Sequence, residues 1–235
     1  MKTLARTRQL FSDAQYELNA RMNQIPADVD LSVPYFSQYA RREDVEDIVK
    51  GKLKTIDDPN WHLTGSKSSK EYTRWAREIC GIAVARMVIK YFVDKDAMLV
   101  PLAKDAFKHG VYKYNAGKFS PLLYYEFSCW MRKYGIQADV RSRLSIRGIQ
   151  YALAQNKLPI VSVNPGVRGY AKLSSNKKGG HLVLVTGYNV INRLLYLNNP
   201  SGFLSLGTQK RHKISEGEFR KYFAGRGVLT SLVMQ

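Results

Sequence analysis

A chain of 235 residues has room for one large domain or two small ones, and its 45% hydrophobic content is that of an ordinary globular protein, so a real core is expected. The formal net charge of +18 implies acidic partners, anionic surfaces or nucleic acid; yet the basic residues are spread along the chain, with short clusters at Lys177-Lys178 and Lys210–Lys213 and no arginine-rich tail, so a solvated basic surface is the simpler reading. Two cysteines, Cys80 and Cys129, make no disulfide framework, and no C-x-x-C metal spacing, no run of about 18 apolar residues and no signal-peptide core in MKTLARTRQLFSDAQ occurs, so a cytoplasmic protein without membrane span, metal or cofactor is expected.

Residues 3–24 carry Leu4, Leu10, Phe11, Ala14, Leu18 and Met22 at helical spacing, and Pro26 ends the segment. An amphipathic helix docked on the domain is expected; its polar face is mixed in charge and argues only weakly for a partner or membrane surface. LSVPYFSQ (31–38) reads as a short strand, with Pro34 marking an edge. Residues 39–73 are polar and charged, with a short helix in ARREDVEDIVKGKL and a loop in DDPNWHLTGSKSSK, so an insertion or recognition loop is expected. His62 falls in this loop and receives no role.

From Trp75 to Phe92 the chain reads WAREICGIAVARMVIKYF. After Cys80-Gly81 the sequence is almost unbroken apolar, and Arg86, Lys90 and Asp94 recur every four residues. That pattern is a core helix with one narrow solvent stripe and a cysteine in its first turn. A thiol there meets unpaired backbone N–H groups and the positive end of the helix dipole, which favours thiolate. The alternative is a small buried apolar residue.

Ser120-Pro121 reads as N-cap and first residue of a helix that stops at Gly135. Cys129 and the aromatics Tyr124, Tyr125, Phe127 and Trp130 read as packing residues on it. IQADVRSRL is a strand, Ser145 caps a helix to about Asn156, and LPIVSV (158–163) is a second strand ending at Asn164-Pro165-Gly166. A glycine-, serine- and lysine-rich loop (167–180) leads into HLVLVTGYN (181–189), which pairs with RLLYLNNP (193–200) as an antiparallel hairpin. Ser215-Glu-Gly-Glu218 is a capping box before FRKYF, and GVLTSLVM is the last strand. The layout is α+β without internal repeats: an N-terminal helical extension (1–30), then one domain (31–235) whose early helices, the Cys80 helix among them, pack on a C-terminal antiparallel sheet.

In the hairpin, the start of one strand lies beside the end of its partner, so His181 and Asn198-Asn199 fall at the same end of the sheet. If the Cys80 helix crosses that end, the imidazole accepts the thiol proton and the amide holds the other ring nitrogen. Gln38 can donate an N–H to a developing oxyanion. Taken singly, Gln38 reads as a surface glutamine, His181 as a structural histidine and Asn199 as a turn residue.

The segments VPYFSQ, CGIAVARMVIKYF, GGHLVLVTGYN, YLNNPSG and FRKYFAGRG together resemble the bacteriocin-processing (double-glycine leader) peptidases and their free-standing relatives, over about residues 31–232. The resemblance implies a papain-like fold and a cysteine peptidase with Cys80 as nucleophile, His181 as general base, Asn199 as orienting third member and Gln38 as oxyanion donor. Two departures stand out: Asn199 occupies a position that is usually Asp, and the stretch from Gln38 to Cys80 is longer than usual. The implied substrate is a peptide or protein, with acidic or extended peptides favoured by the basic surface; nucleic acid is possible but not favoured. A non-catalytic module of the same fold that binds acidic protein or nucleic acid is the alternative, and acyl transfer to an amine is a third reading.

Overall fold

The computed structural model describes residues 2–169 and 178–233; most of the lysine-rich loop expected over 167–180, Lys177 included, lies outside them. Helices α1 (Lys2–Met22), α2 (Val45–Lys50), α3 (Ser69–Ala76), α4 (Cys80–Val93), α5 (Leu99–Lys108) and α6 (Tyr124–Arg132) precede most of the sheet, with a three-residue strand β1 (Asp28–Asp30) and a small hairpin β2–β3 (Tyr114–Asn115, Lys118–Phe119) between them. The second half holds β4 (Ile136–Arg141), α7 (Ile146–Ala154), β5 (Leu158–Val163), β6 (His181–Asn189), β7 (Leu194–Asn198), β8 (His212–Ser215), α8 (Glu216–Tyr222) and β9 (Phe223–Leu232). Among the described residues the main sheet runs β4-β9-β5-β6-β7-β8, all pairs antiparallel, with β1 on the stretch of β6 that β5 leaves uncovered. This is the α+β papain-like layout expected.

α4 is the central helix. Gly81 to Ala85 and Met87 to Ile89 are buried, while Arg86, Lys90 and Asp94 lie on the solvent stripe. It packs against β6, whose first eight residues are all buried. Burying both elements removes a large apolar area from water, at about 25 cal/mol per Å².

Several local expectations change. Ser120 does not cap a helix: its N–H donates to Lys113 O (2.8 Å) and its Oγ accepts from Lys113 N–H (2.9 Å), closing the β2–β3 hairpin. The helix starts only at Tyr124, leaving Pro121 and Leu122 as an irregular wall. Cys129 is exposed and free rather than packed, because α6 turns Phe127, Ser128, Trp130 and Met131 inward; Tyr125 is exposed for the same reason. Residues 31–37 form no strand: Leu31 N–H donates to Thr186 O (2.9 Å), but Val33 N–H turns back to Leu31 O (2.8 Å), and the strand falls upstream at β1.

Segment 39–73 builds a small core of its own, where Tyr39, Val45, Ile48 and Tyr72 pack with Ala76 and Phe203. Gln209 Nε2 donates to Arg42 O (2.6 Å), so the segment braces the turn that follows β7.

α1 docks in the opposite sense from its apolar spacing. Leu10, Phe11, Ala14, Leu18 and Met22 are exposed, while Asp13, Tyr16 and Ala20 are buried against the β4–α7 corner. Polar contacts hold it there. Asp13 Oδ2 accepts from the N–H of Ser142 and of Arg143 (both 3.1 Å), Tyr16 OH donates to Gly148 O (2.8 Å), and Glu17 Oε1 accepts from Ser145 N–H (2.8 Å).

Candidate active site

Three elements meet at the N-terminal end of α4. Cys80 is its first residue, set there by the 77–79 break after α3, and it is half-buried at a cleft of about 320 Å³. His181 opens β6 and lines the same cleft, together with Gly180, Leu182, Ser162, Tyr112, Leu122 and Arg226. Leu182 lines the cleft beside Cys80, and α4 packs against β6. Asn199 follows β7 and is fully buried.

Asn199 Oδ1 accepts from His181 Nε2–H at 2.8 Å and from the Ser201 N–H at 3.2 Å. The second bond fixes which end of the amide faces the ring. Nε2 therefore carries the proton and Nδ1 keeps the lone pair for exchange with a thiol.

Gln38 is buried behind this arrangement rather than on the cleft wall. Its backbone N–H donates to Pro200 O (2.9 Å) and its Nε2 donates to Ala76 O (2.9 Å), bridging the Asn199 turn and the end of α3. One amide hydrogen is committed there, and Oε1 is buried without a hydrogen-bond partner.

Sequence reasoning missed two residues. Ser201 Oγ lies 3.2 Å from His181 Nε2 and accepts from Arg168 Nε (2.9 Å) and Nη2 (2.5 Å). Arg168 is buried, and among the described residues its other bonds go to Ser201 O (2.9 Å) and Pro165 O (3.3 Å), with no carboxylate facing it. A fixed cation thus stands one hydroxyl away from the imidazole. No local signal marks Arg168, which closes a short 3₁₀ turn in the sequence PGVR; the S-G after Asn199-Pro200 reads only as a turn.

These surroundings set the protonation states. Burial pushes the Cys80 thiol above its ordinary value, while the Leu182 N–H, the Arg168 charge and the Gly81 N–H pull it back. Burial holds His181 well below the usual histidine range; Arg168 adds to the depression and the Asn199 bond opposes it. The helix N-terminus was expected to favour thiolate, but desolvation outweighs it. Both directions favour a neutral thiol beside a neutral imidazole over the ion pair.

Among the described residues, no group of His, Cys, Asp and Glu is arranged to hold a metal ion, and no helix is long and apolar enough to cross a membrane.

A cysteine-bearing helix seated on an antiparallel sheet, whose strand end brings a histidine to the same cleft, defines a papain-like cysteine peptidase. The model of the Peptidase_C39-like family matches residues 31–229, and the chain belongs to that family. Its fold is similar to that of a double glycine motif protease from an AMS/PCAT transporter, solved in complex with the leader peptide (19% identity, 65% of this chain and 84% of that one, TM-score 0.41). It is also similar to the peptidase domain of Streptococcus ComA, a bi-functional ABC transporter involved in a quorum sensing pathway (16% identity, 66% of this chain and 93% of that one, TM-score 0.45). No curated protein matches the chain.

Proposed function

We propose that the protein cleaves peptide bonds with Cys80 as nucleophile, His181 as general base and acid, and Asn199 as the amide that orients the ring. The observation that carries this reading is the doubly anchored Asn199 Oδ1, which holds the Nε2–H tautomer and leaves Nδ1 with its lone pair on a histidine that lines the same cleft as Cys80.

As Sγ attacks the scissile carbonyl, its proton passes to His181 Nδ1 and the Cys80 N–H stabilises the oxyanion, while Gln38, off the cleft wall, braces the end of α3 against the Asn199 turn instead of donating to it. The imidazolium then protonates the leaving amine. Water, losing a proton to the same nitrogen, hydrolyses the thioester and the thiol is restored. Because the resting pair is neutral, proton transfer accompanies attack instead of preceding it.

Arg168 and Ser201 act as positioning residues, since they bear on the ring through Nε2 and not on the substrate. The substrate is an extended peptide. Arg77 and Arg226 on the cleft, and Lys70, Arg74 and Lys108 on a neighbouring groove along Trp75 and Phe107, favour acidic segments in it; Lys104 in that groove is paired with Glu71.

The test is digestion of a proteome-derived peptide library, read by mass spectrometry, with wild type, Cys80→Ala and His181→Ala. New termini that appear only with wild type support the reading. No new termini from wild type, or the same termini from Cys80→Ala, refute it.

A further inference from the structure

The face of α1 turned away from the domain is at odds with how a surface helix ordinarily packs. At about 3.6 residues per turn, Phe11, Leu18 and Met22 fall within about 40° of one another. They form a stripe on the exposed side, with Phe11 74% and Met22 75% exposed. The helix is attached by its polar face instead, through Asp13, Tyr16 and Glu17. Both of its acids are thereby turned inward: Asp13 is fully buried and Glu17 is occupied by Ser145. Arg8 and Arg21, about 60° and 80° to either side of Phe11, stay exposed; Arg6 is exposed too but lies about 20° from Asp13, off the outer face. The mixed charge seen along the sequence is thus sorted by docking into an acid-bearing inner face and a cationic, apolar outer one.

A further large apolar side chain is exposed past the helix. Arg147 ties its C-terminal turn by donating to Ala20 O (2.8 Å) and Asn23 O (2.7 Å). Val190 N–H donates to Ala27 O (2.8 Å), which sets the β6–β7 turn beside that end, with Ile191 79% exposed. Asp28 is the exposed acid near this end, and Asp30 beyond it is paired with Arg211.

We propose that this outer face of α1, with Ile191, docks the protein onto an anionic lipid surface. A convex row of large apolar side chains flanked by arginines is what an interfacial helix presents to a charged bilayer, lying in the headgroup plane without crossing it. Two copies of the face would bring like charges together, which disfavours self-association through it. A bilayer also needs no groove complementary to a projecting Phe11. The proposal does not depend on the peptidase reading.

The test is co-sedimentation of the full chain with vesicles of phosphatidylcholine alone and of phosphatidylcholine mixed with phosphatidylglycerol, at low and high salt. Wild type is expected to bind the anionic vesicles, to bind them less as salt screens the arginines, and to leave neutral vesicles largely unbound. Phe11→Ser/Leu18→Ser/Met22→Ser is expected to lower partitioning by roughly tenfold or more, with thermal unfolding and Cys80 alkylation unchanged, because these side chains support no core. Arg8→Gln/Arg21→Gln should lower it less and flatten the salt dependence. Absence of binding to anionic vesicles, or equal binding by the triple serine variant, overturns the proposal. So does a wild-type dimer in sedimentation velocity that the triple variant abolishes, since the stripe would then be a contact between copies.

Discussion

Replacing Asn199 by Asp tests the electrostatics of the site most directly. The new carboxylate would accept from His181 Nε2 at the 2.8 Å now made by Oδ1 and keep the Ser201 N–H. With charge centres about 4 Å apart and an effective dielectric constant of about 20, attraction to the imidazolium is about 4 kcal/mol, or about three pKa units. The neighbouring Arg168 cation, one Ser201 hydroxyl away, keeps the carboxylate ionised and takes up part of its field. A net rise of the His181 pKa remains. The thiol–imidazole pair should then shift toward thiolate–imidazolium, and iodoacetamide should alkylate Cys80 at pH 6 at least about tenfold faster in Asn199→Asp than in wild type. Both proteins carry Cys129→Ala, because Cys129 is free and exposed and would label regardless. A folded Asn199→Asp variant whose alkylation rate at pH 6 is unchanged or lower refutes the neutral-pair account.

The two cysteines should separate kinetically: in native wild type at neutral pH the exposed Cys129 should alkylate faster than Cys80, and Cys129→Ala should keep peptidase activity that Cys80→Ala loses. Stability should fall in acid through the histidines. His181 and His212 are both held below 6.5 by burial, so below about pH 6.5 the unfolded chain takes up protons that the folded one refuses. Each contributes a slope of up to about 1.4 kcal/mol per pH unit, lost as pH falls from about 6.5 toward the folded value, and urea unfolding of His181→Gln should show the shallower dependence. Gly202→Ala puts a Cβ 2.0 Å from Thr208 O, a backbone atom that cannot swing aside, and should cost about 1–3 kcal/mol or more, read as a lower Tm. Asp13→Ala leaves the Ser142 and Arg143 N–H groups without their acceptor and should cost about 2–5 kcal/mol, with faster hydrogen exchange at those two amides marking the loosened α1.

The elements that carry the chemistry follow from local residue patterns. An apolar run with polar residues only at Arg86, Lys90 and Asp94 has one helical solution, and it puts Cys80 at the first turn. The strand–turn–strand pattern around Asn189 fixes an antiparallel register, so His181 and Asn199 must end up at one end of the sheet. These are short-range consequences of periodicity and turn chemistry. The remaining features depend on neighbours far apart in the chain. Ser120 looked like a helix cap until its hydrogen bonds went to Lys113, and the apolar residues of α1 looked like its docking face until Asp13 found two amides at the β4–α7 corner. The protonation of the site is of the same kind. A cysteine at a helix start favours thiolate, yet burial among α4, β6 and the cleft wall, with Arg168 against Ser201, leaves the thiol and the ring neutral. Desolvation and the field of a buried cation are sums over everything packed around a group, and no window of sequence contains them.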